Sequence, residues 1–286
     1  MHISMLMQVP GILQKIKKEH EQLKEIVRRH EIDVVFSDNR YGLWHEDVLS
    51  IFMTHQLKIK AGNAIIENFL KKINMHYIRK FDACCVPDFP DEQNLSGTLS
   101  HFEQNKPTAR FIGPQSRFSV YPVESVFDKR YTLMILISGP EPQRSIFEEK
   151  VLTQADRIKV KTLVLAGKPE RHEHYHINDF VEVKNHMDSH TLLNHMKNSE
   201  IILSRSGYST IMDLAYLKKK AIFIPTPGQT EQEYLAKYHA SRGHCVNASQ
   251  RTMNIQALLE AANDIRGFDL KFETGLLNGF LADLIS

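Results

Sequence analysis

The residues from Ser204 to Glu233 have the types and spacing best suited to binding and chemistry. An apolar strand over 201–203 is followed by the turn Arg205-Ser206-Gly207, and a helical pattern starts directly after the glycine. The first N–H groups of a helix have no acceptor within the helix, and the helix dipole adds positive potential at the same end. The pattern therefore predicts a site for an anionic group such as a phosphate.

A second strand and a polar loop complete this stretch. Residues 221–224 are apolar, and the chain then breaks at Pro225-Thr226-Pro227-Gly228 before a further helix. Loops that follow neighbouring parallel strands lie at the same edge of a sheet, where ligands of α/β folds bind. We interpret 204–233 as the part of an enzyme that holds the pyrophosphate and sugar of a nucleotide sugar.

The composition is that of an ordinary soluble globular protein, with 286 residues, 42% hydrophobic and 24% charged. The net charge of +2 is too balanced to predict nucleic-acid binding. The three cysteines form no CxxC pair, which favours reduced core cysteines in a cytoplasmic protein. No apolar run approaches the roughly 20 residues that span a bilayer. The N-terminus lacks the order of a signal peptide.

Helices alternate with short apolar strands along the first part of the chain. Residues 11–30 have apolar positions at helical spacing, which predicts a helix packed on a sheet; a helix lying on a lipid surface is the alternative. Polar residues follow each strand, which is typical of a parallel α/β sheet with ligands at that edge. The predicted strands cover 32–36, 50–54 and 82–86, and a second helix covers 63–80.

A second α/β unit is predicted after residues 113–130, which lack a clear period and resemble an inter-domain linker. We therefore predict an α/β fold of two Rossmann-like doubly wound domains, over 1–112 and 131–286. The strands predicted in the second domain cover 131–137, 161–166, 180–183, 201–203 and 221–224. One predicted helix of this domain follows the first strand and ends near 154, and another follows the turn at 205–207. The remaining predicted helices cover 190–198, 231–242, 255–265 and 276–284.

Histidines alternate in the segment Arg171-His172-Glu173-His174-Tyr175-His176. On a strand, His172, His174 and His176 would share one face and would suit a transition metal. A polar loop between strands is the interpretation that we favour, so no metal site is predicted.

These motifs resemble the GT-B glycosyltransferases, with glycosyltransferase family 28 and its C-terminal, donor-binding domain as the nearest match. This family includes the bacterial enzyme that adds N-acetylglucosamine to the peptidoglycan lipid intermediate. The resemblance covers about residues 31–245 and is strongest over 204–234. Weaker similarities occur at 54–56, 113–117 and 137–145. It implies an acceptor-side domain over 1–112, a linker over 113–130 and a donor domain over 131–286.

The resemblance implies contacts to the nucleotide diphosphate from two strand-end loops and from the linker. The residues concerned are Ser138, Gly139, Ser206, Gly207, Thr210 and Arg117. A simple helix cap is the alternative for the turn before the helix, and an exposed linker residue is the alternative for Arg117. Pro140 and Pro142 depart from the glycine pattern of the family, which weakens the expected phosphate contact of that loop.

The same resemblance implies contacts to the ribose and the donor sugar. Asp213 stands where the family has an acidic residue for the ribose hydroxyls, one carbon longer than here. Gln232 and Glu233 stand where a pair of glutamines contacts the sugar, with Gln229 as a nearby alternative. The alternative for Asp213 is an acidic residue on the surface of a helix. The alternative for Gln232 and Glu233 is that they are ordinary residues of a first helical turn.

The acceptor side is less complete. His55 and Gln56 match part of a loop that faces the acceptor, and Asp38 and His55 are the candidates for a general base. A full first domain opens with a strand, a glycine-rich loop and a helix, and no such motif precedes Ile32. The expectation is an incomplete acceptor domain, through truncation, degeneration or a half supplied by another chain.

The predicted function is transfer of a sugar from a UDP-type donor to an acceptor hydroxyl, with inversion and without an obligatory metal or cofactor. The expected partners are the nucleotide sugar, an acceptor that is a glycan, a lipid-linked group or a small molecule, and possible further copies or a partner chain. Nucleic acid is not expected, and membrane contact is at most peripheral, at the inner face. The alternatives are a nucleotide-sugar hydrolase or epimerase, and a donor-binding subunit that is inactive without a partner.

Overall fold

The computed structural model describes residues 2–102, 109–121, 131–273 and 275–285, with side chains from residue 11 onward. The chain divides into two compact units, Met1–Pro114 with Glu273–Ser286, and Gln115–Phe272. This division differs from the predicted domains, since the C-terminal segment joins the first unit and residues 115–121 join the second. Residues 122–130 of the predicted linker lie outside the described residues.

The first unit is built on a sheet of four parallel strands in the order β1-β2-β3-β4. The strands are β1 Val34–Asp38, β2 Leu49–Met53, β3 Ala83–Val86 and β4 Arg110–Phe111. Its helices are α1 His2–His30, α2 Ala64–Ile78 and the C-terminal α8 Leu276–Ile285. Each helix follows the expected periodicity, and α2 begins where the Asn63 side chain accepts hydrogen bonds from two backbone N–H groups.

Apolar packing in the first unit is divided among separate small clusters. Phe280 of α8 packs with Ile51 and Cys85 of the sheet, which explains why this helix belongs to the first unit. At the edge strand β1, Val34 and Phe36 remain 45% and 44% exposed. Apolar side chains on an uncovered edge strand are unusual in a stable sheet.

The second unit has a seven-stranded sheet in the order β11-β10-β9-β5-β6-β8-β7. Its strands are β5 Tyr131–Leu136, β6 Thr162–Leu165, β7 His174–His176, β8 Val181–Lys184, β9 Ser199–Ser204, β10 Lys220–Phe223 and β11 Cys245–Asn247. Its helices are α3 Gln143–Leu152, α4 Ser189–Lys197, α5 Tyr208–Tyr216, α6 Thr230–Ser241 and α7 Ile255–Asn263. All pairings are parallel except that of β7 with β8.

The strand order of the second unit reverses at β5. From β5 the chain winds outward through β6 and β8, and it then crosses to β9, β10 and β11 on the other side. Leu133, Ile135 and Leu203 of the two central strands are buried in one continuous core. In doubly wound sheets the crevice at the point of reversal, outside the carboxyl ends of the strands, is where ligands bind.

The parallel α/β architecture predicted from the sequence is confirmed. Three short strands were missed, namely β4, β7 and β11, because two or three residues give too little pattern to recognise. The predicted polar loop around the alternating histidines is wrong, since His174–His176 is a strand. The prediction of buried, unpaired cysteines is confirmed for Cys84, Cys85 and Cys245.

Among the described residues, every helix is either too short or too polar to span a bilayer.

Candidate functional site

The turn between β9 and α5 lies at the reversal point of the second sheet. Gly207 is the N-cap of α5, with φ −70° and ψ 143°, and it supplies no capping side chain. A Cβ added at Gly207 would meet nothing within 4 Å, so no neighbouring protein atom requires a glycine there. The N-cap of α5 therefore supplies no capping side chain and has open space beside it, as an anion site at a helix start requires.

Ser206 fixes this turn to α6. Its side chain is fully buried, and its hydroxyl donates to the backbone oxygen of Gln232 at 2.7 Å. The hydroxyl proton is thus used within the protein. The predicted contact of Ser206 with a diphosphate remains a prediction, which its backbone rather than its hydroxyl proton would supply.

The loop between β10 and α6 is held by the two side chains predicted to contact the sugar. Gln232 Oε1 accepts a hydrogen bond from the N–H of Thr226 at 2.9 Å, and Glu233 Oε1 accepts one from Gly228 at 3.2 Å. Gln229 is the N-cap of α6 and does not cap it with its side chain. Sugar contacts, which stay predictions, would fall to the second polar atom of each side chain.

Arg205 is the central residue of these loops, and no role beyond its place in the turn was predicted for it. It is 2% exposed, and its guanidinium lies 4.1 Å from the centre of the Phe147 ring. It donates to backbone oxygens of Ile224 at 2.9 Å, Pro225 at 3.1 Å and Gln143 at 3.1 Å, and to the Gln250 side chain. The only indication of this role in the sequence was the position of the arginine, between the end of a strand and the start of a helix.

The charge of Arg205 has no carboxylate partner among the described residues. Burial lowers the pKa of its guanidinium to about 10, so it stays protonated at neutral pH. A cation surrounded only by neutral groups in a low-dielectric interior produces a strong positive potential. The loops around it therefore favour an anionic ligand.

The loop after β5 approaches the loop after β10. A Cβ added at Gly139 would lie 3.9 Å from Thr226 Oγ1, and the φ of Gly139 is +116°, which side-chain-bearing residues rarely adopt. Thr226 is 2% exposed, and its hydroxyl oxygen has no hydrogen-bond partner among the described residues. A buried unpaired hydroxyl is costly and marks a position where a ligand group would complete its bonding.

Asp213 and Arg117 meet, but in a different contact from the predicted ones. Ser116 donates to Asp213 Oδ1 at 2.8 Å, and Arg117 Nε donates to Oδ2 at 2.9 Å. Burial raises the pKa of Asp213, and the Arg117 charge and these hydrogen bonds oppose that rise. Both oxygens thus join residues 116 and 117 to α5, so ribose or phosphate contacts by this pair, which remain predictions, would have to share those partners.

The other predicted residues of the second unit lie at the same edge of the sheet. Ser138 is exposed at the end of β5, and Thr210 is half-buried in the first turn of α5. Beside the β10–α6 loop is a cavity of about 530 Å³, lined in part by Pro225, Glu233 and Lys237. A group held at the turn would find this cavity next to Glu233.

In the first unit, Asp38, His55 and Gln56 follow β1 and β2, with Asp38 exposed and the other two half-buried. The structure shows a further candidate that the sequence did not reveal. His101 Nε2 lies 3.2 Å from Oδ2 of the fully buried Asp88, and the imidazole stacks on Phe111. An imidazole oriented by a carboxylate is a common arrangement of general bases. The thirteen-residue separation gives no sequence signal.

Most of the second unit is similar to a known protein family. Residues 143–275 match the glycosyltransferase family 28 C-terminal domain. The chain is 28% identical over 199 residues to the UDP-N-acetylglucosamine--N-acetylmuramyl-(pentapeptide) pyrophosphoryl-undecaprenol N-acetylglucosamine transferase of Campylobacter jejuni subsp. doylei, covering 62% of this chain and 55% of the relative. The protein of that name from Lactococcus lactis subsp. cremoris is 28% identical over 259 residues, covering 88% and 69%.

The chain thus spans about half the length of the first of these relatives. Among solved structures, the glycosyltransferase of kitacinnamycin superimposes with a TM-score of 0.59 at 14% identity, covering 97% of this chain and 78% of that one. This likeness concerns the fold alone. The resemblance predicted from the sequence is confirmed: residues 143–275 match the glycosyltransferase family 28 C-terminal domain, and the chain has the fold of the GT-B glycosyltransferases.

Proposed function

We propose that this chain binds a UDP-type nucleotide sugar in its second unit and takes part in transferring the sugar, with inversion, to an acceptor hydroxyl. The observation that carries the proposal is the arrangement at the reversal point between β5 and β9. There the uncapped first turn of α5, the buried charge of Arg205 and the unpaired hydroxyl of Thr226 belong to loops at one edge of the sheet.

The chemistry that these groups support is stabilisation of a leaving diphosphate. As the glycosidic bond to the diphosphate breaks, negative charge develops on the phosphate oxygens. Backbone N–H groups of α5 and the helix dipole are fixed before the reaction, so they stabilise that charge without reorganisation. No metal ion is needed for this role in the proposal.

The acceptor hydroxyl must lose a proton as it attacks, and the first unit supplies the candidates. Asp38 and His55 remain the predictions from the sequence, and the pair of His101 with Asp88 adds a third candidate with an oriented imidazole. The acceptor would be a glycan, a lipid-linked group or a small molecule. A partner chain or further copies of this chain would cover the exposed edge strand β1. Contact with a membrane surface would be peripheral.

Calorimetric titration with UDP and UDP-N-acetylglucosamine tests the donor site, and Gly207→Ser is the decisive variant. A serine at this N-cap would place its hydroxyl oxygen on the first-turn N–H groups that the proposal assigns to the diphosphate. Because Gly207 has open space around it and a negative φ, the fold should be retained. We expect UDP affinity to fall by about tenfold, which corresponds to one lost charge-assisted hydrogen bond.

Gly279→Ser is the matched control, since Gly279 is an exposed glycine of α8 with nothing within 4 Å of an added Cβ. It should leave UDP affinity unchanged. Thr226→Val, which removes the unpaired hydroxyl at nearly constant shape, should weaken UDP binding while leaving the fold as stable or more so. Folded wild-type protein that binds neither UDP nor the UDP sugar would overturn the donor-site proposal.

A further inference from the structure

We propose that the ribbon formed by β7 and β8 holds a divalent transition-metal ion between His174, His176 and Glu182. One nitrogen from each histidine and one carboxylate oxygen all lie within 4.8 Å of one another. The proposal concerns the far edge of the second sheet and does not depend on the nucleotide-sugar site.

The register of the two strands places these three side chains on one face. His176 lies directly opposite Glu182, and His174 lies directly opposite Lys184 in the antiparallel pair. Side chains two residues apart on a strand point to the same face, so His174 and His176 are neighbours there. Their rings are 5.5 Å apart between centroids. Tyr175 and Val183 form the intervening pair and belong to the other face.

The ligand set suits a specific class of ion. Two imidazoles with one carboxylate suit zinc, nickel or copper, whereas magnesium and calcium prefer oxygen ligands. At metal–ligand distances near 2.1 Å, the ligand atoms of a tetrahedral site are about 3.4 Å apart. His174 Nε2 and Glu182 Oε1 are already 2.9 Å apart. Small side-chain rotations would therefore form the site.

Glu182 is prepared for this role by its surroundings. It is 8% exposed, and its second oxygen, Oε2, accepts a hydrogen bond from the Tyr131 hydroxyl at 2.8 Å. Carboxylates that bind metals are commonly held in this way by an outer hydrogen bond.

The histidines differ from Glu182 in being exposed, so an ion in solution would reach them directly. Without an ion, Glu182 Oε1 has His174 Nε2 at 2.9 Å and Lys184 Nζ at 3.2 Å. An arriving ion would replace this direct contact: His174 would bind it through Nε2 as the neutral tautomer that carries its proton on Nδ1, and the Lys184 ammonium would withdraw from Oε1. Lys184 is thus a competitor of the metal for the same oxygen.

Binding should be measured by calorimetry with zinc chloride and nickel chloride, on full-length protein purified without a histidine tag. We expect saturable binding of one ion, and an increase in the unfolding temperature with metal concentration because only the folded ribbon presents the ligands together. Cobalt chloride provides a second readout, since tetrahedral coordination by protein ligands produces visible absorption bands that are much more intense than those of the hydrated ion.

His176→Ala is the main variant, because it removes one ligand and leaves the contact of His174 with Glu182 in place. We expect it to weaken metal binding by about tenfold or more. His172→Ala is the matched control, since His172 is exposed and precedes the strand, and it should bind as wild type does. Lys184→Met should strengthen binding by removing the competing ammonium.

Absence of saturable binding to the wild-type protein would overturn the proposal. Equal affinity of the wild type and His176→Ala would also overturn it, since the ion would then be held elsewhere.

Discussion

The loops at the carboxyl edges of the two sheets are organised around buried side chains of opposite charge. In the second unit, the Arg205 guanidinium donates to three backbone oxygens and one side-chain oxygen. In the first unit, the fully buried Asp88 carboxylate accepts from the backbone N–H groups of Phe89, Leu95 and Ser96, and from the Ser96 hydroxyl. Each residue fixes its loops by binding the opposite pole of the peptide group.

This difference teaches what each edge is prepared to bind. A guanidinium satisfies carbonyl oxygens and contributes a positive charge, so its loops favour an anion such as a diphosphate. A carboxylate consumes N–H groups and contributes a negative charge, so its loop disfavours an anion and orients an imidazole instead. The electrostatics of the second unit would thus suit a phosphate, and those of the first unit would suit a neutral hydroxyl and a base.

The largest expected effect is that of Arg205→Met. The substitution would leave four acceptors, two in buried and two in partly buried hydrogen bonds, without their donor, so we expect the free energy of unfolding to fall by about 3 kcal/mol or more. Urea unfolding gives the magnitude, and hydrogen exchange should locate the loss in residues 205–228. Arg251→Met, at an exposed arginine of the same unit, should change stability by less than about 0.5 kcal/mol. Similar losses for both variants would contradict the central role of Arg205.

A smaller effect is expected for Asp88→Asn, the corresponding change in the first unit. The amide would turn one acceptor into a donor facing Ser96, which should cost about 1–3 kcal/mol. Hydrogen exchange should increase over residues 88–101 and stay unchanged in the loops around Arg205. Asp91→Asn is the control, because Asp91 is exposed and its amide analogue keeps the acceptor for Gln93. Faster exchange in both units would show that the two loop systems are not independent.

A further expected effect is a response of the second unit to acid. Burial, with contributions from Arg242 and Arg266, lowers the pKa of His244 to about 4, below the 6.5 of an ordinary histidine. Because the folded pKa lies below the unfolded one, His244 contributes stability that is complete above about pH 6.5 and is lost as the pH falls toward about 4.

His244→Gln should therefore make urea midpoints less dependent on pH across this window. The His239 ring, whose Nδ1 is 3.1 Å from that of His244, remains in the variant. His172→Gln, at an exposed histidine, should keep the wild-type dependence. A wild-type midpoint that stays constant from about pH 7 to about pH 4 would rule out this contribution.

The fold was accessible from the sequence because strands such as 131–136 and 201–203 are continuous apolar runs between turn residues. The strand His174–His176 was not, since it contains no aliphatic residue and depends on pairing with β8. The C-terminal helix was recognised, but its place against Ile51 and Cys85 depends on contacts across about two hundred residues of sequence, which periodicity does not encode.

The segments of the candidate site could be located from the sequence, whereas the bonding partners of their side chains could not. The uncapped turn at Gly207 follows directly from a strand, a small-residue turn and a helix. The partners of individual side chains do not, because Ser206, Gln232 and Glu233 each bond to a backbone group whose position depends on the conformation of the loops. Arg205 and the pair of Asp88 with His101 were missed because their roles depend on burial, and burial is a property of the tertiary structure.

The hydrogen bond from Ser206 to the backbone of Gln232 has a consequence for motion. It joins the turn before α5 to the first turn of α6, and the Gln232 side chain extends the link to Thr226. These two hydrogen bonds couple the turn before α5, the first turn of α6 and the β10–α6 loop. A displacement of the turn would be transmitted to the β10–α6 loop, so the two loops should open and close together rather than in separate steps.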